Sequence, residues 1–334
     1  MLKSPINITK TTEFSLLSEI IDHPLRAFRT AGSILLRESY AAPWAISIPH
    51  VDELSKFLDI PSGALAIAFH LVEFGRCRVK TSDEDVELST GEIVISFGGV
   101  KHQLYQGKTE QPQPIENLLA GGPNIQRPHS IPNSDCTSLL CGVFIIHDSA
   151  LNPLFSALPK LLHTSLSRTG EMHNLSGVAR LMAEEIDRHN SGSSYIVERL
   201  LEILCAEAIR SYCETTPQQQ PNWIRGIKDP IIGRAIIEMH QRPGADWSVK
   251  KLAELAAISP SRFAARFSES VGSSPMVYLT KWRMNIACQI LATTKCRLDQ
   301  IATDIGYENT TAFSRAFKKH VGQPPSDWRS NRSI

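Results

Sequence analysis

The feature that most constrains this chain is a duplication near its C-terminus. The segment LAELAAISPSRFAARFSESVGSSPMVYL, starting at Leu252, returns as IATDIGYENTTAFSRAFKKHVGQPPSDWR, starting at Ile301. At an offset of 49 residues, Leu252-Ala253 aligns with Ile301-Ala302 and Ile258 with Tyr307. One residue is then inserted. At an offset of 50, Phe263, Phe267, Val271-Gly272 and Pro275 align with Phe313, Phe317, Val321-Gly322 and Pro325. Repeats of this length are supersecondary units. Each copy reads as a short helix, a tight turn and a second helix, whose two phenylalanines lie four apart on one inward face. Gly306 gives the turn of the second copy a residue free to take positive φ. The first copy has Ala257 there, so its turn must carry strain or adopt another geometry.

The face opposite the phenylalanines carries Ser261, Arg262, Ala265 and Arg266 in the first copy. In the second it carries Thr310, Thr311, Ser314, Arg315 and Lys318. Small and hydroxyl side chains beside Arg let a helix lie deep in a groove and reach base edges or phosphates. Charge points the same way. From residue 247 onward, 13 Lys and Arg stand against 6 Asp and Glu, whereas the rest of the chain holds 22 basic and 28 acidic residues. A basic end on an acidic body indicates a polyanion partner for that end alone. The alternative is an ordinary bundle of amphipathic helices with solvated basic faces.

Between the copies, 275–293 places Val277, Leu279, Trp282, Ile286, Ile290 and Leu291 at helical spacing. About 20 helical residues span ~30 Å, near the ~34 Å between successive major-groove faces on one side of a duplex. One chain is thus expected to set two recognition helices in adjacent grooves.

The remainder is long enough for another domain, since 334 residues with 42% apolar and 21% charged residues suit about two globular domains. Short apolar runs at 33–40, Ala64–Phe74, 86–88, 92–97 and 139–146 predict a small antiparallel barrel or sandwich. The Pro-, Gly-, Asn- and Gln-rich 111–135 reads as a long surface loop. Helical periodicity begins near 150, with amphipathic helices expected over 175–190 and 194–212. The polar TTPQQQPN at 215–222 reads as a linker, and Asp229-Pro230 as a capped helix start. No stretch approaches the ~20 apolar residues that span a bilayer. Met1-Leu2-Lys3-Ser4-Pro5 lacks a signal peptide's apolar core, so a soluble cytoplasmic protein without a membrane partner is expected. Seven cysteines at scattered positions, with no CxxC, argue against a disulfide framework or zinc finger. Cys205, Cys213, Cys288 and Cys296 fall on expected helices as packing residues.

From about 224 to 329, the strings DPIIGRAIIEMH, SPSRFAARFSESVG, SPMVYLTKWRM and IATDIGYENTTAFSRAFKKHVGQPPSDWR resemble the DNA-binding region of AraC/XylS-type bacterial transcription regulators. The resemblance implies two helix-turn-helix units joined by a long helix, with 259–271 and 309–320 as recognition helices. It makes Ser261, Arg262, Ala265 and Arg266, then Asn309, Thr310, Thr311, Arg315 and Lys318, the DNA contacts, and promoter DNA and RNA polymerase the partners. Activation is the commoner mode in that family.

GEIVISFGGVKH, at 91–102, is similar to the second cupin motif, with Phe97 in place of Pro and Gln106 where Asn is usual. The first motif is not intact. Ala68 occupies the Glu position and no HxH precedes it. PWAI at 43–46, FHLVEFGRC at 69–77 and LLCGVF at 139–144 also look like the cupin-type ligand domain of one branch of these regulators. The expected fold class is therefore α+β with two domains. A cupin-like antiparallel β-barrel at 1–148 senses an effector. A helical region at 149–214 couples the domains or forms a homodimer. A linker at 215–228 leads to an all-α double helix-turn-helix at 229–330.

His70, Cys77, His102, Cys136 and Cys141 are the candidate effector residues. His70 alternates with Ala68 and Val72, and Cys141 with Leu139 and Val143, so both point into a barrel. Three readings stand open: a Zn²⁺ or other thiophilic metal site, redox-sensing thiols, and plain core packing. The effector is then a small molecule, a metal or an oxidant. A different class of function, a cupin-type metalloenzyme with an appended DNA-binding domain, is weakened by the missing first motif.

Overall fold

A computed structural model describes residues 30–60, 64–108, 111–126, 135–147, 151–165, 175–188, 190–215 and 220–330. The chain divides into two compact units, one holding Arg29–His147 and Leu158–Thr215, the other Asp148–Ala157 and Thr216–Ile334.

The first unit contains the strands β1 (Thr30–Ala41), β2 (Trp44–Ile48), β3 (Ala64–Phe74), β4 (Arg76–Lys80), β5 (Asp85–Ser89), β6 (Glu92–Ile95), β7 (His102–Gln106), β8 (Gln113–Pro114), β9 (Asn124–Ile125), β10 (Cys136–His147) and β11 (Leu162–Ser165). They form a six-stranded sheet, β11-β6-β3-β10-β1-β9, and a five-stranded sheet, β5-β4-β7-β2-β8. Helix α1 (Val51–Phe57) follows β2, and α2 (Ile115–Leu118) follows β8. The long strand β3 reads ALAIAFHLVEF because both its faces are covered. Ala66, Ala68 and Val72 pack inward with Leu139, Cys141 and Val143 of β10. On the other face, Phe69 stacks on Phe144 with ring centroids 4.7 Å apart.

After β10 the chain contributes α3 (Pro153–Ala157) to the second unit, then returns as β11, α4 (Leu175–Arg188) and α5 (Ser193–Thr215). Helix α5 buries Leu201, Leu204, Cys205 and Ala208. A buried ion pair fastens α4: Arg37 on β1 donates to Glu73 at 3.0 Å and to Asp187 on α4 at 2.7 Å.

Three boundaries differ from expectation. The 111–135 loop contains β8, α2 and β9, anchored by Ile115 and Leu119, which join the barrel core; residues 127–134 lie outside the described set. The region 149–214 is not all helical, because β11 pairs antiparallel with β6, Leu162 opposite Ile95. The barrel sheet thus runs past residue 148. The linker expected over 215–228 ends early. Trp223–Lys228 forms α6, with Asn222 capping it and Trp223, Ile224 and Ile227 buried. Residues 216–219 lie outside the described set.

The second unit continues with α7 (Pro230–Gln241), α8 (Val249–Leu255), α9 (Pro260–Val271), α10 (Pro275–Thr293), α11 (Leu298–Asp304), α12 (Thr310–Val321) and α13 (Pro325–Ser330). Asp229 caps α7 by accepting from the backbone N–H groups of Ile231 and Ile232. Phe313 and Phe317 of α12 join Met284, Cys288 and Leu291 of α10 in one core. The first copy packs on a polar aromatic cluster instead. Trp223 Nε1 donates to the Tyr278 hydroxyl at 2.9 Å, which is also 2.6 Å from His240 Nε2. His240 stacks on Trp282 with centroids 3.7 Å apart.

Candidate nucleic-acid interface

The two helix-turn-helix units are α8–α9 and α11–α12. Their turns meet the same demand with different residues. Gly306 sits at φ +82° and Ala257 at φ +52°, so alanine does adopt the left-handed region that favours glycine. Ser259 caps α9 and Asn309 caps α12, each side chain accepting from the backbone N–H three residues on. In both copies the phenylalanines are fully buried, which forces the opposite face outward.

On α9 this face exposes Ser261, Arg262 and Ala265; on α12 it exposes Thr311, Arg315 and Lys318, with Thr310 and Ser314 half-buried beside them. Thr310, Thr311, Ser314, Arg315 and Lys318 line a shallow depression with Pro324. Two expected contacts also bond within the fold. Arg266 is half-buried and its Nε donates to Asp229 at 2.8 Å. Asn309 uses its side-chain oxygen to accept from the Ala312 N–H at 2.8 Å, which the helix start requires. Lys319 is also exposed and adds a charge that the repeat pattern did not single out.

The barrel candidates come together only in part. His70 and Cys141 are register partners on β3 and β10. The ring nitrogen His70 Nε2 lies 2.8 Å from His102 Nε2, and His102 Nδ1 lies 2.8 Å from the Val100 carbonyl oxygen. These contacts settle the neutral tautomers. A carbonyl accepts only, so His102 Nδ1 donates to it, and His102 Nε2 accepts from His70 Nε2–H. His70 Nδ1 is then a bare acceptor, buried, with no partner among the described residues. Burial lowers the affinity of both rings for a proton, and His70 is lowered further by His102.

Burial pushes the Cys77 thiol up to about 12 and the Cys141 thiol well above its ordinary value, which favours the protonated form of each. Cys136 is buried at the start of β10, outside that core cluster. Among the described residues no three His, Cys, Asp or Glu side chains group as a metal site.

Residue Arg283, on the long helix α10, escaped the sequence reading. Its signal was a lone Arg amid the apolar residues of 275–293. It spans two loops of the second unit. Its Nε donates to the Pro243 carbonyl at 2.7 Å and Nη2 to that of Ala245 at 2.9 Å. Its Nη1 donates to the Gly306 carbonyl at 3.3 Å.

No helix among the described residues is long and apolar enough to cross a membrane.

Known proteins resemble this chain in both of its parts. Residues 19–214 match the cupin family, and residues 252–331 a helix-turn-helix domain. The chain is 28% identical over 274 residues to an AraC-like transcription regulator of Streptomyces lividans, covering 80% of this chain and 88% of that protein. It is 28% identical over 270 residues to the regulator AlkR of Acinetobacter baylyi, covering 79% and 88%. It is 24% identical over 254 residues to the RCS-specific activator RclR of Escherichia coli, covering 74% and 89%. Among solved structures, the C-terminal domain of AraT, a response regulator from Geobacillus stearothermophilus, is 32% identical, covering 32% of this chain and 88% of that one at a TM-score of 0.31. The DNA-binding domain of AdpA, solved with a target DNA, is 25% identical, covering 30% and 91% at a TM-score of 0.30. The cupin match spans more than half of the chain, the helix-turn-helix match covers the duplicated region, and the relatives are regulators rather than enzymes. The chain belongs to the AraC-type DNA-binding transcription regulators that carry an N-terminal cupin domain.

Proposed function

We propose that this regulator activates transcription from the cytoplasm, with α9 and α12 read into successive major grooves of one promoter site. The observation that carries this reading is the pair of exposed faces opposite the phenylalanines, where Ser261 and Ala265 on α9 stand at the places of Thr311 and Arg315 on α12, with Arg262 and Lys318 exposed beside them. Arg supplies bidentate contacts to guanine, and Lys318 supplies phosphate neutralisation. RNA polymerase is the partner beside which activation takes place. Selection of bound sequences from random DNA tests this. Two different half-sites about one helical turn apart are expected; a single short site would overturn the two-groove reading.

The effector belongs to the barrel unit. The His70–His102 pair is its candidate contact, with the bare His70 Nδ1 as an acceptor for a donor on a small molecule. Self-association belongs to α5, where Tyr195, Ile196 and Ile203 stay exposed while Leu204 and Ala208 are buried within their own unit. Sedimentation of the full chain decides whether that face makes a homodimer. A monomer at tens of micromolar would remove it.

A further inference from the structure

Two separate helix-turn-helix units need something to hold them in phase, and the long helix alone does not. A helix fixes the distance between its ends, but each unit can still roll about it. The contact between the units is made elsewhere, where the loop before α8 meets the turn before α12. The backbones there approach closely. A Cβ on Gly244 would stand 2.3 Å from the Asp304 carbonyl oxygen, and one on Gly306 would stand 2.7 Å from the Gly244 carbonyl oxygen. Neither position has room for a side chain.

The guanidinium of Arg283 caps this junction from the middle of α10. It binds the carbonyls of Pro243 and Ala245 on the entry loop of the first helix-turn-helix and that of Gly306 in the turn of the second. The Tyr307 ring lies beneath it at 5.9 Å. Three carbonyls from two loops converge on one rigid, planar fork, which lysine's single ammonium does not reproduce. The entry loop is itself braced. Trp247 Nε1 donates to the Arg242 carbonyl at 2.8 Å, and Lys251 pairs with Asp246 at 2.7 Å.

We propose that Arg283 is a positioning residue that sets the phase between the two recognition helices. The spacing of the two DNA half-sites is thereby specified separately from their base sequence. The inference rests on the two-groove reading above. One inserted base pair rotates the second half-site by roughly 35° and moves it by about 3.4 Å, which a rigid pair of helices does not follow.

The test measures binding of the full chain to its selected site and to versions with one or two base pairs inserted or deleted between the half-sites. The wild-type protein is expected to lose at least tenfold in affinity for each altered spacing. Arg283→Met should bind the original spacing several-fold more weakly yet discriminate among spacings less than threefold. Base preference within each half-site should be unchanged. Arg283→Lys, which keeps the charge, should behave like Arg283→Met. It also serves as the readout should the methionine variant fail to fold. Full spacing discrimination in a folded Arg283 variant would overturn the proposal while leaving the two-groove reading intact. Indifference to spacing in the wild type would overturn both.

Discussion

Asp229 and Arg266 form an ion pair of 2.8 Å that ties α9 to the N-terminus of α7. The same carboxylate caps α7 through the Ile231 and Ile232 N–H groups. Two carboxylate oxygens thus serve two helices. Burial raises the Asp229 carboxyl, but Arg266 and the two backbone donors outweigh it and leave it below its usual range.

The pair separates two arginines that the sequence treats alike. Arg262→Ala should relax base preference in one half-site and cost on the order of 1–3 kcal/mol of binding. Arg266→Ala should leave base preference unchanged and lower the stability of the second unit. Asp229→Ala removes the cap as well and should cost about 1–2 kcal/mol. Binding to a panel of single-base variants, beside urea unfolding, distinguishes the two effects.

Lys318→Ala should weaken binding to every sequence alike. The slope of log affinity against log salt should fall by about one unit, as expected for one lost phosphate contact. A change confined to one base position would instead make Lys318 a base reader.

Turn chemistry gives an opposed pair of outcomes. Ala257→Gly relieves a left-handed alanine and should stabilise the protein by about 0.5–1 kcal/mol. Gly306→Ala should destabilise it by more, because the new Cβ meets both Gly244 and Arg283. Thermal unfolding of the two variants measures the asymmetry.

The His70–His102 pair predicts a pH dependence of the barrel. Both rings bind a proton less readily when folded than their ordinary value of 6.5. The unfolded chain therefore takes up protons first as pH falls. Stability contributed by the neutral pair is complete above about 6.5 and declines below it, by up to ~1.4 kcal/mol per pH unit for each proton. His70→Gln should flatten that slope. Urea midpoints at several pH values between 5 and 8 are the check.

The Arg37 ion pair makes the last prediction. Arg37→Ala leaves Glu73 buried without its cation and should cost about 3–5 kcal/mol. Replacing Arg37 by Met and Glu73 by Leu together should recover most of that loss. Equal losses in the single and double variants would show that packing, not charge, is at stake.

The legible parts of this protein are those whose pattern repeats or alternates. The duplication at offsets 49 and 50 located both helix-turn-helix units, and the paired phenylalanines fixed which faces point outward. Alternation in β3 placed His70 on the inner face, and Cys141 likewise in β10. Short elements escaped because their signals are only two or four residues long. Strand β11 and helix α2 are held by Leu162, Ile115 and Leu119, whose burial depends on distant partners.

By itself the sequence determined the two-domain class, the double motif and the basic exposed faces, because each follows from periodicity and charge along the chain. Only the tertiary structure decided which polar groups are already taken. Arg262 and Arg266 differ because Asp229, 37 residues away, reaches one and not the other. Asn309 caps a helix, Arg283 spans two loops, and His70 meets His102 across 32 residues. A hydrogen bond needs both partners within about 3 Å, and local pattern carries no such distance between residues far apart in the chain.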